Sequence, residues 1–335
     1  MPAAQFADFI QSTRSAYADT VSDGILEDFV IFKEIQSANG RPKEYEGIIG
    51  GNGGFWTNVG GNAFEWRVLS SQMEFSEWGP GVPVTATTPQ TLVPVKQTMG
   101  GYKIPYFIDM FETMSMNTKE QYVPLLRLYE KMATRRWYSG FGTSLLKNST
   151  TGGWQGLPAF VVTTGTYATL DMTQTYSKPF VVDYATNGLN FTLTCVDSFS
   201  KVQNGATHGD TQDAPNSPED AFMNRTDWQT MVTAIEDQHK LVNINQDMLK
   251  FGFKNWTYRG VRAYWSDEMS VQSINKVYIL NVHHIGIAHA SPKLMVAETV
   301  NSLTGNVGIV AVSFSKSQAF CSNTRKQGLI DNTAG

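Results

Sequence analysis

The residues best suited to chemistry in this sequence are three histidines, His283, His284 and His289, which fall within seven positions. Neutral imidazoles ligate metal ions and act as general bases near neutral pH. In a strand, however, His283 and His284 point to opposite faces, so they cannot both bind one metal ion. The sequence contains no HExxH motif and no carboxylate flanks the group. We therefore interpret these histidines as structural, and keep a hydrolase that uses the His283/His284 region as an alternative.

Other reactive residue types lack the surroundings that catalysis requires. Cys195 and Cys321 are the two cysteines of the chain, and without CxxC spacing each is expected to be a buried, inert thiol. The acid pairs Glu219-Asp220 and Asp267-Glu268 occur in turn-like contexts, where capping or solvated roles prevail. No GxSxG motif is present. The sequence therefore predicts a protein that is not an enzyme, with no catalytic residue, cofactor-binding residue or metal ligand.

The composition describes a folded chain with a weakly charged surface. Of 335 residues, 41% are hydrophobic and 17% are charged, below the usual ~25% charged residues. Residues 1–40 carry six acids and two bases, and the remainder is neutral, which argues against tight electrostatic binding of nucleic acid. There is no signal peptide and no apolar run long enough to span a membrane. The low fraction of charged residues favours a surface that contacts other chains. The lack of a signal peptide favours a protein that stays in a reducing compartment.

The longest helical pattern runs over about residues 117–147. Apolar residues recur there at spacings of three and four and define one helical face. They are Tyr122, Leu125, Leu126, Tyr129, Met132, Ala133, Trp137, Phe141 and Leu145. We expect a single long helix, of which the Gly152-Gly153 pair marks the end.

A two-stranded ribbon precedes this helix. Phe64, Trp66 and Val68 alternate with polar residues, as in a half-buried strand, and residues 92–95 and 103–108 are predicted to form the returning strand. Residues 76–90 form the proline-rich tip between them. Since a two-stranded ribbon is only marginally stable alone in water, we expect a second chain to cover it. Five tip residues are predicted to make this inter-subunit contact: Trp78, Pro80, Val82, Pro83 and Val84.

Further short elements follow the long helix. A helix is predicted over 192–202 with Leu193, Val196 and Phe199 facing inward. Strands are expected at 221–224, 261–265 and 276–281, with a helix after the first that is capped by Asn224 or Thr226, and a turn at 266–269. Strand-like segments occur at 307–314 and 318–322.

One block carries a family resemblance. It comprises AFMNRTDWQTMVTAIEDQHKLV from Ala221, FGFKNWTYRGVRAYWSDEMSVQSINKVYILNVHHIGIA from Phe251, and FSKSQAFCSNTRKQGLI from Phe314. The block resembles the major capsid (coat) protein of tailed double-stranded DNA bacteriophages, whose shell-forming fold is shared with herpesviruses. The resemblance is specific mainly over residues 221–281, and the order of the predicted elements agrees with it along nearly the whole chain.

The resemblance implies an α+β fold with four parts. These are an N-terminal arm (1–55), an extended β-ribbon loop (56–108), a peripheral domain with the long spine helix (109–160 and 296–335) and an axial domain (161–295). In the acidic arm, Asp23, Glu27 and Asp28 are expected to contact a neighbouring subunit.

The resemblance also implies a structural function. Hexamers and pentamers of the chain would form an icosahedral shell around the phage genome, in the virion, after assembly in the bacterial host cytoplasm. The expected partners are the chain itself, a separate scaffolding protein, a portal protein and packaged double-stranded DNA without sequence-specific binding. No cofactor and no membrane are expected. A virion decoration protein or a tail structural protein is the second alternative.

Overall fold

The computed structural model describes a little over half of the chain. The described residues are 31, 34–35, 54–56, 62–70, 92–109, 132–133, 136–137, 140–148, 152–184, 191–208, 217–239, 255–290, 296–300 and 308–332.

The described residues form runs of strands with a few helices between them, as in an α+β protein. The strands are β1 (Gly54–Trp56), β2 (Ala63–Leu69), β3 (Leu92–Thr98), β4 (Gly100–Asp109), β5 (Thr166–Tyr167), β6 (Leu170–Asp171), β7 (Phe180–Asp183), β8 (Asp220–Met223), β9 (Asn255–Tyr258), β10 (Val261–Trp265), β11 (Lys276–Leu280), β12 (Ile285–His289), β13 (Val296–Val300), β14 (Gly308–Cys321) and β15 (Gly328–Asp331). The helices are α1 (Leu157–Phe160), α2 (Phe191–Ala206), α3 (Arg225–His239) and α4 (Asp267–Val271), with 3-10 turns at Val282–His284 and Thr324–Lys326. Residues 132–133, 136–137 and 140–146 are also helical.

A six-stranded sheet forms one half of the described structure, in the order β7-β15-β11-β8-β10-β9. Helices α2 and α3 pack on it, and their buried residues share a core with the apolar residues of the sheet. In α2, Val196 and Phe199 are buried, as predicted, but Leu193 is 80% exposed. The inward prediction for Leu193 was wrong because this residue lies two positions after buried Phe191, roughly 200° around the helix.

A five-stranded sheet is built around the 14-residue strand β14. Strand β4 pairs along β14 on one side, and β12 and β13 pair with successive parts of its other side. Residues 103–108 were predicted to return along the ribbon, and this is wrong because they lie in β4 and pair with β14. Gly100 is the residue at which the chain passes from the ribbon into β4. A Cβ at this position would lie 2.8 Å from the carbonyl carbon of Gly153, so the close approach of the two backbones requires glycine.

The predicted ribbon is formed by β2 and β3, which pair antiparallel from Ala63↔Thr98 to Leu69↔Leu92. Phe64, Trp66 and Val68 are buried, and the residues between them are exposed. The period-two pattern in β2 therefore correctly predicts which face packs on the protein.

The long helix is described in part. Trp137, Phe141 and Leu145 are buried on the predicted apolar face, whereas Met132 is 58% exposed. The other predicted face residues before position 132 lie outside the described residues.

Residues 266–269 were predicted to form a turn. Instead, helix α4 begins at Asp267, so residues 267–269 are helical.

Two strands do not follow the predicted domain boundary at position 296. Strand β12 lies before position 296 but joins the five-stranded sheet, and β15 lies after it but joins the six-stranded sheet. The division into arm, extended loop, peripheral domain and axial domain remains a prediction.

Candidate functional site

The histidines that the sequence singles out occupy a short connection between the two sheets. His283 and His284 lie in a 3-10 turn and not in a strand, and the side chain of Asn281 accepts a hydrogen bond from the His283 amide. Nε2 of His283 lies 3.8 Å from Oε2 of Glu219. His289 is buried within β12. The three imidazoles therefore occupy different local environments.

A serine nucleophile and a histidine base would need to be within hydrogen-bonding distance, and Oγ of Ser322 lies 3.2 Å from Nδ1 of His284. The Ser322 hydroxyl also donates to the carbonyl oxygen of His284, at 3.3 Å. The serine thus bridges the ring and the backbone of the same residue, and its 9% exposure leaves little access for a substrate. This geometry is typical of a structural hydrogen bond between β14 and the turn.

The other residue types with possible reactivity have structural surroundings. Cys195 and Cys321 are buried, and burial raises the pKa of Cys321 to about 12, so its thiol stays protonated at neutral pH. Glu268 accepts hydrogen bonds from Thr143 and Gln272, which joins α4 to the helical residues 140–146. In the described part of the chain, no three histidine, cysteine, aspartate or glutamate side chains come together as metal ligands would. No helix there is long and apolar enough to span a membrane.

The root of the ribbon, where β2 and β3 pack on the rest of the protein, connects parts of the chain that are distant in sequence. Phe64 stacks on Trp66 with 5.3 Å between ring centroids, and both rings contact Phe320 of β14. Trp66 also contacts Tyr167 of hairpin β5–β6. The ribbon is therefore attached to the protein at its base by aromatic packing.

Buried hydrogen bonds fix the same root. The Tyr167 hydroxyl donates to Oε1 of Gln97, at 3.1 Å, and accepts from the Cys321 amide, at 2.9 Å. Nε2 of Gln97 donates to the carbonyl oxygen of Ala319. Burial raises the pKa of Tyr167 well above its usual value. Sequence reasoning missed this network, although Gln97 gives one signal, a polar residue at an inward position of β3 between Val95 and Met99.

A second connection attaches the N-terminal part of the chain to the six-stranded sheet. Ile31 and Ile35 are buried, and Glu34 accepts hydrogen bonds from Arg262 and Tyr264, each at 3.2 Å. Arg262 also forms an ion pair of 2.7 Å with the fully buried carboxylate of Asp220. Burial, and after it the charge of Glu34, raises the pKa of Tyr264 to about 12.

The residues predicted to contact neighbouring subunits lie outside the described residues. They are Trp78, Pro80, Val82, Pro83 and Val84 of the ribbon tip, and Asp23, Glu27 and Asp28 of the arm. Their contacts remain predictions. The described residues instead define the two places where the ribbon and the N-terminal part of the chain join the rest of the subunit.

Comparison with known proteins identifies the fold. No protein-family model and no curated protein matches the sequence. Among solved structures, the chain is similar to the cyanophage A-1(L) capsid asymmetric unit, with a TM-score of 0.62 and 14% identity over 84% of this chain and 90% of that chain. It is also similar to the capsid of the native GTA particle, with a TM-score of 0.53 and 10% identity over 82% of this chain and 86% of that chain. The chain therefore has the fold of tailed-phage capsid proteins, as its sequence predicts.

Proposed function

We propose that this chain is a major capsid protein, which self-assembles as hexamers and pentamers into an icosahedral shell around a double-stranded DNA phage genome. The similarity to the A-1(L) capsid chain, which covers 84% of this chain and 90% of that chain, supports the proposal. The shared fold therefore comprises most of both chains rather than a single module. The chain acts as a structural protein of the virion, with no enzymatic activity and no cofactor.

The anchored ribbon supports a role in contacts between subunits. Its base is held by the Trp66 ring, which contacts Phe320, and by the Gln97 side chain, which donates to the carbonyl oxygen of Ala319. We propose that Trp78, Pro80, Val82, Pro83 and Val84 at the tip pack on a neighbouring subunit, which covers a ribbon that is only marginally stable alone.

The N-terminal part of the chain has a comparable arrangement. Glu34 is bonded to the six-stranded sheet, and the acidic residues Asp23, Glu27 and Asp28 precede it in the sequence. We propose that these residues contact a second neighbour. The neutral remainder of the chain suits general confinement of DNA without sequence-specific binding.

Other proteins complete the proposed assembly pathway. A separate scaffolding protein directs shell closure, and a portal protein occupies one vertex. Assembly takes place in the bacterial host cytoplasm, and the mature location is the virion capsid.

Electron microscopy with sedimentation velocity tests the proposed function. The purified chain is measured with and without a candidate scaffolding protein. We expect rings of five or six subunits, tubes or closed shells. A monomer of 37.1 kDa under all conditions would contradict the proposal and favour the hydrolase that uses the His283/His284 region.

Deletion of residues 76–90 tests the role of the ribbon tip. We expect a folded subunit, with the circular dichroism spectrum of the full chain, that does not close shells. Normal shells would show that the tip is not an inter-subunit contact. An oligomeric state identical to that of the full chain is the result that a decoration or tail protein predicts.

A further inference from the structure

The outer backbone groups of strand β3 are occupied within the subunit. The amide of Lys96 donates to Oγ1 of Thr169 at 3.1 Å, and this hydroxyl donates to the carbonyl oxygen of Pro94 at 3.3 Å. In an antiparallel pair, the N–H and C=O of one residue point to the same side of the strand, and those of the next residue point to the opposite side. Residues 94 and 96 of β3 therefore direct their backbone groups away from β2. Proline is tolerated at position 94 because an N–H there would have no partner in the ribbon.

The register of the ribbon then defines the outer edge of β2. Arg67 pairs with Pro94 and Glu65 pairs with Lys96. Since these are non-hydrogen-bonded pairs, the N–H and C=O groups of Glu65 and Arg67 point away from β3. In the part of the chain that the structure describes, β3 is the strand to which β2 is paired. This edge can accept another strand.

The side chains along this edge carry opposite charges two positions apart. Glu65 and Arg67 are both exposed, and Glu65 forms an ion pair of 3.2 Å with Lys96. Arg67 forms no ion pair with another described residue. Charged edge residues ordinarily prevent strand addition, but a pair of opposite sign can also match itself across a two-fold axis.

We propose that β2 pairs antiparallel with β2 of a second copy of this chain, around a two-fold axis at Trp66, to form a continuous four-stranded sheet. In this register Glu65 lies opposite Arg67 of the partner subunit, and the reciprocal pair forms by symmetry. A shift of the axis to Glu65 or to Arg67 would place like charges directly opposite each other, which is unfavourable. The charges therefore select one register among those with the same backbone hydrogen bonds. The inference rests on the proposed self-assembly and names one contact within it.

Cysteine cross-linking tests this contact because directly opposed residues of paired strands lie within disulfide range. The variants Glu65→Cys and Arg67→Cys are prepared separately, mixed before assembly and oxidised. Cys195 and Cys321 are buried in the subunit, so the introduced thiols report the contact. We expect the mixture to yield at least about fivefold more disulfide-linked dimer than either variant alone.

The matched control is a mixture of Lys96→Cys with Arg67→Cys. In the proposed sheet these residues of two copies are separated by two inter-strand spacings, about 10 Å, so no dimer is expected. The inference would be overturned if either single variant formed as much disulfide-linked dimer as the mixture, or if assembled particles showed no cross-linking. Either result would leave the proposed function standing. Absence of any particles or oligomers by electron microscopy would overturn both.

Discussion

The Tyr167 hydroxyl donates a hydrogen bond to Oε1 of Gln97 over 3.1 Å, and this contact joins hairpin β5–β6 to the base of the ribbon. The Tyr167 hydroxyl oxygen also accepts a hydrogen bond from the amide of Cys321. Tyr167 is fully buried, so both partners depend on it for hydrogen bonding in surroundings from which water is largely excluded.

Removal of this hydroxyl is expected to weaken the ribbon root. Tyr167→Phe leaves a buried acceptor and a buried donor without this partner, which costs about 1–3 kcal/mol. Chemical denaturation measures the loss. The control is Tyr176→Phe, because Tyr176 is half-buried and its hydroxyl bonds no described residue. Equal effects of the two substitutions would show that the network contributes nothing specific.

Substitution of two glycines by alanine distinguishes the destabilisation caused by a steric clash from the general effect of replacing a glycine. A Cβ at Gly156 would lie 2.1 Å from the carbonyl oxygen of Leu145, whereas a Cβ at Gly101 meets no atom within 4 Å. Gly156→Ala should therefore destabilise by about 1–3 kcal/mol or more, and Gly101→Ala should be close to neutral. Thermal unfolding of both variants provides the measurement. A neutral Gly156→Ala would mean that α1 does not pack closely against the helical residues 140–146.

The ion pairs at the N-terminal connection should differ in their effect on stability. Arg262→Ala removes the guanidinium from the buried Asp220 carboxylate, and we expect a loss of about 3 kcal/mol, the low end for a buried pair, because the Arg262 side chain is 33% exposed. Glu34→Gln leaves that pair intact and keeps an oxygen that can accept a hydrogen bond, so it should cost less than Arg262→Ala. Denaturant titration distinguishes them.

A compensating substitution tests the cause of the Arg262 effect. Asp220→Asn removes the buried charge, so it should restore part of the stability lost in Arg262→Ala. If the loss of unfolding free energy in the double variant equalled the sum of the losses in the two single variants, this explanation would be contradicted.

Asp227 should give the free energy of unfolding a distinctive pH dependence. Burial raises its pKa, and hydrogen bonds from Asn332 and Asn224 lower it by less. The folded state therefore binds this proton more tightly than the unfolded chain. The contribution of Asp227 to stability is fully present below about pH 3.9, the ordinary value, and is lost as the pH rises through the folded-state pKa.

The measurement compares the wild type with Asp227→Asn between about pH 3 and pH 6. The stability of the wild type relative to the variant should fall as the pH rises. Asp171 provides a control of opposite sign, because hydrogen bonds, first from the Thr173 amide, lower its pKa. The wild type should gain stability relative to Asp171→Asn over the same interval. A flat difference for Asp227→Asn would contradict the assignment.

Local patterns in the sequence predicted several elements correctly. The alternation of Phe64, Trp66 and Val68 predicted the buried face of β2. Asn224 or Thr226 was expected to cap α3, and Oδ1 of Asn224 accepts from the Asp227 amide at 2.7 Å. Both features depend on residues close in the chain, so periodicity and capping rules apply directly.

Contacts between distant segments account for what sequence reasoning missed. Strand β4 pairs with β14 about two hundred positions later, and no local pattern indicates that partner. The Tyr167 network likewise joins residues separated by 70 and 154 positions. His283 and His284 were considered as residues of a strand, but the side chain of Asn281 accepts a hydrogen bond from the backbone amide of His283, and the two histidines lie in a 3-10 turn.

The place of β15 in the sheet has a consequence for synthesis of the subunit. This strand, residues 328–331, is hydrogen-bonded to β7 on one side and to β11 on the other, although every other described strand precedes it in the chain. A nascent polypeptide that stops before position 328 lacks the strand next to the edge strand β7, so β7 and β11 have no strand between them. Prematurely terminated translation products therefore lack the native six-stranded sheet.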